Sequence, residues 1–166
     1  MRTALRSQLH AALDMLEAAV RACPTRHWTD PSYHNAFWHI AYHALFYTHL
    51  YVQRDEASFV PWPNHRGESQ FLGPLPWPPH RPPRVGAPYS REEILEYAAL
   101  VHIEVETRLL EADLDAAESG FAWLPFGKLE LLLYTLRHVQ HHAGQLIDRV
   151  RNDAGVGVEW VGMTSV

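Results

Sequence analysis

Apolar residues recur at helical spacing in four stretches of the chain. In the first, Leu5, Leu9, Ala12, Leu13, Leu16 and Val20 form one stripe, which predicts a helix from about Thr3 to Ala22, ended by Pro24. Asp30-Pro31 pairs an N-cap acceptor with a proline suited to the first turn, so a second helix is predicted from there to about Arg54. That segment is apolar nearly all round (Phe37, Trp38, Ile40, Leu45, Phe46, Leu50), as expected of the most buried helix. A capping box, Ser90-Arg91-Glu92-Glu93, opens a third helix to about Glu118, stopped by Ser119-Gly120. The fourth runs from around Gly127 to Leu129 as far as about Asn152, with Leu129, Leu132, Leu133, Leu136, Val139, Ala143, Leu146, Ile147 and Val150 as its main apolar stripe.

Between the second and third helices the pattern breaks. Residues 55–88 hold nine of the twelve prolines, together with Trp62, Phe71, Leu72 and Trp77. A loop of this length inside a domain is commonly a functional cover or a disordered linker. Its aromatic content argues against a free linker, so the expectation is an ordered cover, with a dimer-contact arm as the alternative. After the fourth helix, Val156 to Val161 reads as a short extended tail packed back on the helices. Residues 1–166 are thus expected to form a single all-α domain. Its architecture is predicted as an up-down four-helix bundle with a long Pro-rich crossover loop and a short extended C-terminal tail.

Bulk composition narrows the function. At 47% hydrophobic and 20% charged residues, the chain has the make-up of an ordinary globular domain. A net charge of −5 without a basic patch argues against nucleic-acid binding. No apolar run reaches the roughly 18 residues of a membrane span, and Met1 to Gln8 carries no secretory pattern. One cysteine, Cys23, cannot form an internal disulfide, which fits a reducing cytoplasm. Beside Pro24 it reads as a small packed side chain rather than a nucleophile. Broad apolar helices also favour a twofold homodimer.

Twelve histidines are the anomaly. His138 and His142 lie four residues apart on the fourth helix, so their imidazoles leave one face roughly 6 Å apart at Cβ. That row, shared with Leu131, Thr135 and Gln145, lies off the main apolar stripe, so the pair could simply be solvated. His39 and His43 repeat the spacing on the apolar second helix, where a buried imidazole needs a partner. A cation held between the two helices would satisfy both sets. Imidazole ligands suit zinc, nickel, iron or copper, and three with an open position describe a catalytic rather than a closed site. His65 and His80 are expected at the loop surface, and His102 with Glu106 as an exposed pair on the third helix.

Trp38-His39-Ile40-Ala41-Tyr42-His43, with Arg137-His138-Val139-Gln140-His141-His142-Ala143-Gly144-Gln145-Leu146, resembles the DinB-like superfamily of four-helix metal proteins. The closing Val158-Glu159-Trp160-Val161 is similar to a C-terminal extension that many members carry. The resemblance implies that His43, His138 and His142 bind a divalent transition metal (zinc, nickel or iron), with His39, His141 and Gln145 as neighbouring pocket residues. Some members are thiol-dependent, which implies a metal-dependent transfer of a low-molecular-weight thiol to a small electrophile. Two alternatives stand beside it. One is a non-enzymatic, metal-stabilised stress or partner-binding protein. The other is metal-assisted hydrolysis, for which Glu104 and Glu106 are the acidic candidates.

Overall fold

Every regular element is helical in the structure, a computed structural model described over residues 1–164. Helix α1 (Arg2–Ala22) follows its predicted stripe and buries Leu5, Leu9, Leu13, Leu16 and Val20. A short helix, α2 (Thr25–Trp28), follows Pro24 and puts Trp28 into the core. The long apolar helix α3 covers Phe37–Val52, and α4 covers Arg91–Glu111 behind the Ser90–Glu93 capping box. Last comes α5 (Lys128–Ala154), closed by Gly155 in the left-handed conformation at φ 67°.

Two boundaries differ from the sequence prediction, both because an aspartate turned its side chain onto its own backbone. Asp30 does not cap a helix. Its Oδ1 accepts from the Ser32 amide (2.9 Å) and hydroxyl (2.7 Å), closing a local turn, and α3 starts only at Phe37. Helix α4 stops at Glu111 rather than near Glu118, where Ala112 turns extended and Asp113 accepts from the Asp115 amide at 3.1 Å. The Arg2 guanidinium binds the freed carbonyls of Leu109 and Ala112, so α1 helps to finish α4. Gly120 holds φ +91°, and a Cβ there would collide with the Arg54 carbonyl oxygen.

Helix α1 packs against α4 and α5, and α3 packs against the same two, while α1 and α3 barely touch. The four long helices therefore close a ring of four seams in the order α1, α4, α3, α5. A simple up-down arrangement would seat successive helices side by side. Here α1 and α3 are diagonal, and so are α4 and α5, because residues 23–36 and 112–127 are long enough to cross the end of the structure. Only the step from α3 to α4, through the proline-rich segment, joins neighbours.

That segment contains one 3-10 turn, Glu56–Ser58, and is otherwise irregular. Trp62 is buried and stacks on Tyr97 at 4.8 Å between ring centroids. Leu75 is also buried, and Arg66 pairs with Glu93 and lies over the Tyr89 ring. Trp77, by contrast, is half exposed. Along α5 the buried face is Leu131, Leu132, Thr135, Val139, His142, Ala143, Leu146 and Val150, whereas Leu133 is 46% exposed. The helix is thus rotated from its predicted stripe, and the row that carries the histidines turns inward. The tail returns to α1, where the Gln8 amide donates to the Gly162 carbonyl and the Ser7 hydroxyl to Thr164.

Candidate metal centre

His43 on α3 meets His138 and His142 on α5 across the α3/α5 seam. One ring nitrogen from each lies within 4.8 Å of the others. His43 Nε2 and His138 Nε2 are 3.0 Å apart. A tetrahedral zinc with bonds of about 2.0–2.1 Å would have ligand atoms roughly 3.3 Å apart, so one edge of the set already stands near that spacing. The sequence explains the meeting. His138 and His142 share one face of α5, and the rotation of α5 turns that face onto α3.

Two of the three rings are held in the tautomer a metal needs. His43 Nδ1 donates to the Gln70 backbone carbonyl at 2.7 Å, which leaves Nε2 as a lone pair. His142 Nδ1 donates to Gln145 Oε1 at 3.1 Å, with the same result. Such a second hydrogen bond orients metal-bound imidazoles in general. His138 differs, because its Nδ1 is buried and has no hydrogen-bond partner. Three neutral imidazoles converge here, and burial keeps them neutral. It pushes His43 down to about 4 and His138 down to about 3, and the neighbouring histidines add to the effect. His142 is lowered by the same cause.

The seam is open at this point. Of the residues of α3, only His43 and Tyr47 escape full burial. Tyr47 meets the ring of His43 edge-on at 4.8 Å and that of His138 at 5.7 Å. Tyr134, 36% exposed, stacks parallel to His138. Tyr51 bridges Tyr47 and Tyr134, so the approach to the three nitrogens is walled by tyrosine rings. Three convergent donors beside a partly open wall suit a cation with a free coordination position.

The other expected residues divide. Gln145 is in contact with the triad through His142, and His141 packs edge-on against His142 at 4.9 Å. His39 is not part of the cluster; it is buried, stacks on Trp38 at 5.0 Å and leaves Nε2 without a partner. Neither acidic candidate is at the triad. Glu104 takes hydrogen bonds from Gln53 and Arg108, and Glu106 from Arg6 on α1. His65 is half-buried rather than fully exposed, and its Nδ1 meets the Tyr42 hydroxyl at 2.5 Å. Cys23 is buried, and desolvation pushes its thiol up to about 11, which removes it as a nucleophile.

Sequence reasoning missed three contributors. A backbone carbonyl such as that of Gln70 leaves no mark in a sequence. Tyr47 and Tyr134 do, since each lies four residues from a triad histidine on the same helix face. Comparison with known proteins adds nothing further: no family model, no curated protein and no solved structure matches this chain. Among the described residues, no helix is long and apolar enough to cross a membrane.

Proposed function

We propose that this chain is a divalent-metal protein of the DinB-like kind, a four-helix bundle with a long proline-rich segment between α3 and α4, that holds a transition metal through His43, His138 and His142. The observation that carries the reading is the convergence of three neutral imidazoles. Two of them have Nδ1 tied to an acceptor, so that Nε2 is left as a donor atom. The donor set is all nitrogen, which suits zinc, nickel or iron and disfavours magnesium or calcium.

The activity we propose is transfer of a low-molecular-weight thiol to a small electrophile. A divalent cation lowers the pKa of a thiol and keeps it as a thiolate near neutral pH. The chain's own residues do the rest. Gln70 and Gln145 hold two rings in place, the loop covers His43, and Tyr47 and Tyr134 flank the approach. No carboxylate among the described residues joins the cluster of ring nitrogens, so a general base for hydrolysis is missing from it, and thiol transfer is the better-supported chemistry.

The test is the metal content of untagged protein purified without added metal, repeated on His138→Ala. About one zinc, nickel or iron per chain, lost in the variant, supports the site and justifies screening thiols with electrophiles. Wild-type protein free of metal, and unable to take up zinc, would overturn the proposal.

A further inference from the structure

A second pair of histidines closes the opposite seam. His10 on α1 and His102 on α4 meet edge to edge, nearly in one plane, with centroids 5.0 Å apart, planes at 5° and Nδ1 atoms 2.7 Å apart. The outer nitrogens face carboxylates. His10 Nε2 lies 3.4 Å from Glu106 Oε2, while His102 Nε2 lies 3.2 Å from Glu17 Oε1 and 3.6 Å from Asp14 Oδ1. Glu106 is also paired with Arg6, and Glu17 with Arg21 at 2.8 Å. His102 and Glu106, expected as an exposed pair on one helix, instead both reach across to α1.

Counting protons on this arrangement gives one solution. A ring nitrogen facing a carboxylate is satisfied only as N–H, so both Nε2 atoms carry protons. Between the two Nδ1 atoms, 2.7 Å is a hydrogen-bond distance and needs one proton. No proton would set two lone pairs against each other, and two would set N–H against N–H. Three protons on four nitrogens make one imidazolium and one neutral imidazole. His102 faces two carboxylates, of which Arg21 pairs with Glu17 and leaves Asp14 unpaired by arginine, whereas His10 faces only Glu106, which Arg6 already neutralises. His102 is therefore the charged ring, and its Nδ1–H donates to His10 Nδ1. Burial, and then the charge of His102, hold the pKa of His10 below its ordinary value, in keeping with its neutral role.

We propose that His10 and His102 form a one-proton clasp across the α1/α4 seam, closed at intermediate pH and released on either side. On acidification a fourth proton goes to His10 Nδ1, and the two charged rings repel. On loss of one of the three protons, either the inner hydrogen bond or one bond to a carboxylate disappears. The charged groups around the pair are Arg6, Asp14, Glu17 and Arg21 from α1 and Glu106 from α4. The clasp lies on the seam opposite the triad and is independent of any metal.

The experiment compares melting temperatures of the full chain and of His102→Gln from about pH 5 to 9. Glutamine keeps a polar side chain at the seam but cannot titrate. The clasp predicts a wild-type advantage of roughly 2–6 °C that peaks at intermediate pH and falls by at least half on both sides. An advantage that is flat or monotonic in pH overturns it. If the variant does not fold, 15N-histidine NMR of the wild type decides. At the pH of greatest stability the pair should show one unprotonated ring nitrogen, that of His10 Nδ1. One unprotonated nitrogen on each ring at every pH would overturn the proposal.

Discussion

Gln145→Ala isolates the contribution of the shell around the triad without touching a ligand. The Gln145 side chain is exposed, and its Oε1 accepts from His142 Nδ1 at 3.1 Å. Truncation leaves the core unaltered and frees His142 to take either tautomer. Mutating such partners typically costs 10–100-fold in metal affinity. Because the site of the lost oxygen is open to solvent, water can replace part of the bond, which places the expected loss at the low end. We expect about tenfold weaker zinc binding, equivalent to about 1.4 kcal/mol. Competition with a chromophoric chelator at neutral pH reads this directly. Gln145→Glu, which offers a stronger acceptor to the same N–H, should bind at least as tightly as wild type. His141→Ala, which removes only an edge-on ring contact, should stay within about twofold. Wild-type affinity in Gln145→Ala, or an equal loss in His141→Ala, would refute the role given to the His142–Gln145 bond.

Among the ligands, His43→Ala and His142→Ala should each lose most bound metal by elemental analysis, while His80→Ala should retain it; metal in His43→Ala at the wild-type level would remove α3 from the site. Metal-free protein should lose stability as pH falls from about 6.5 towards 4. The sign follows from the lowered values of His43, His138 and His49, each set first by burial: above 6.5 these three rings bind equal protons in the folded and unfolded chains, and below it they bind more in the unfolded chain. Urea titrations at pH 7 and 5 check this, and equal midpoints would contradict it. Gly120→Ala should destabilise by more than about 2 kcal/mol, since both the left-handed backbone and the Arg54 carbonyl exclude a Cβ; an unchanged melting temperature would show that the turn can rearrange. Limited proteolysis should spare the chain around Trp62 and Leu75, which are buried, and early cutting there would count against an ordered cover.

How far the sequence could be read depended on whether a signal was local. The His138–His142 pair was legible because the two are one turn apart, and a turn fixes their common face whatever the rest of the chain does, whereas the choice of His43 over His39 rested on the family resemblance alone. The helix start at Asp30-Pro31 failed for a local reason too: an aspartate that can cap a helix can equally fold onto the amide two residues ahead, and here it did. Which face of α5 lies inward was not local. Leu129, Leu133, Leu136 and Ile147 are as apolar as the residues actually buried, and periodicity cannot rank two adjacent stripes on a leucine-rich helix. What selects the inner row is the partner. Helix α3 presents His43 and Tyr47 at the seam, and the polar row meets them there: His138 Nε2 reaches His43, while Thr135 and His142 bond within α5. The His10–His102 contact was illegible for the same reason, since it joins residues 92 apart through the packing of α1 on α4. Both histidine clusters therefore depend on the order of the helices around the ring. In a simple up-down chain, with the long helices in the order α1, α3, α4, α5 around the ring, α3/α5 and α1/α4 would both be diagonals and neither of the seams that these clusters close would exist.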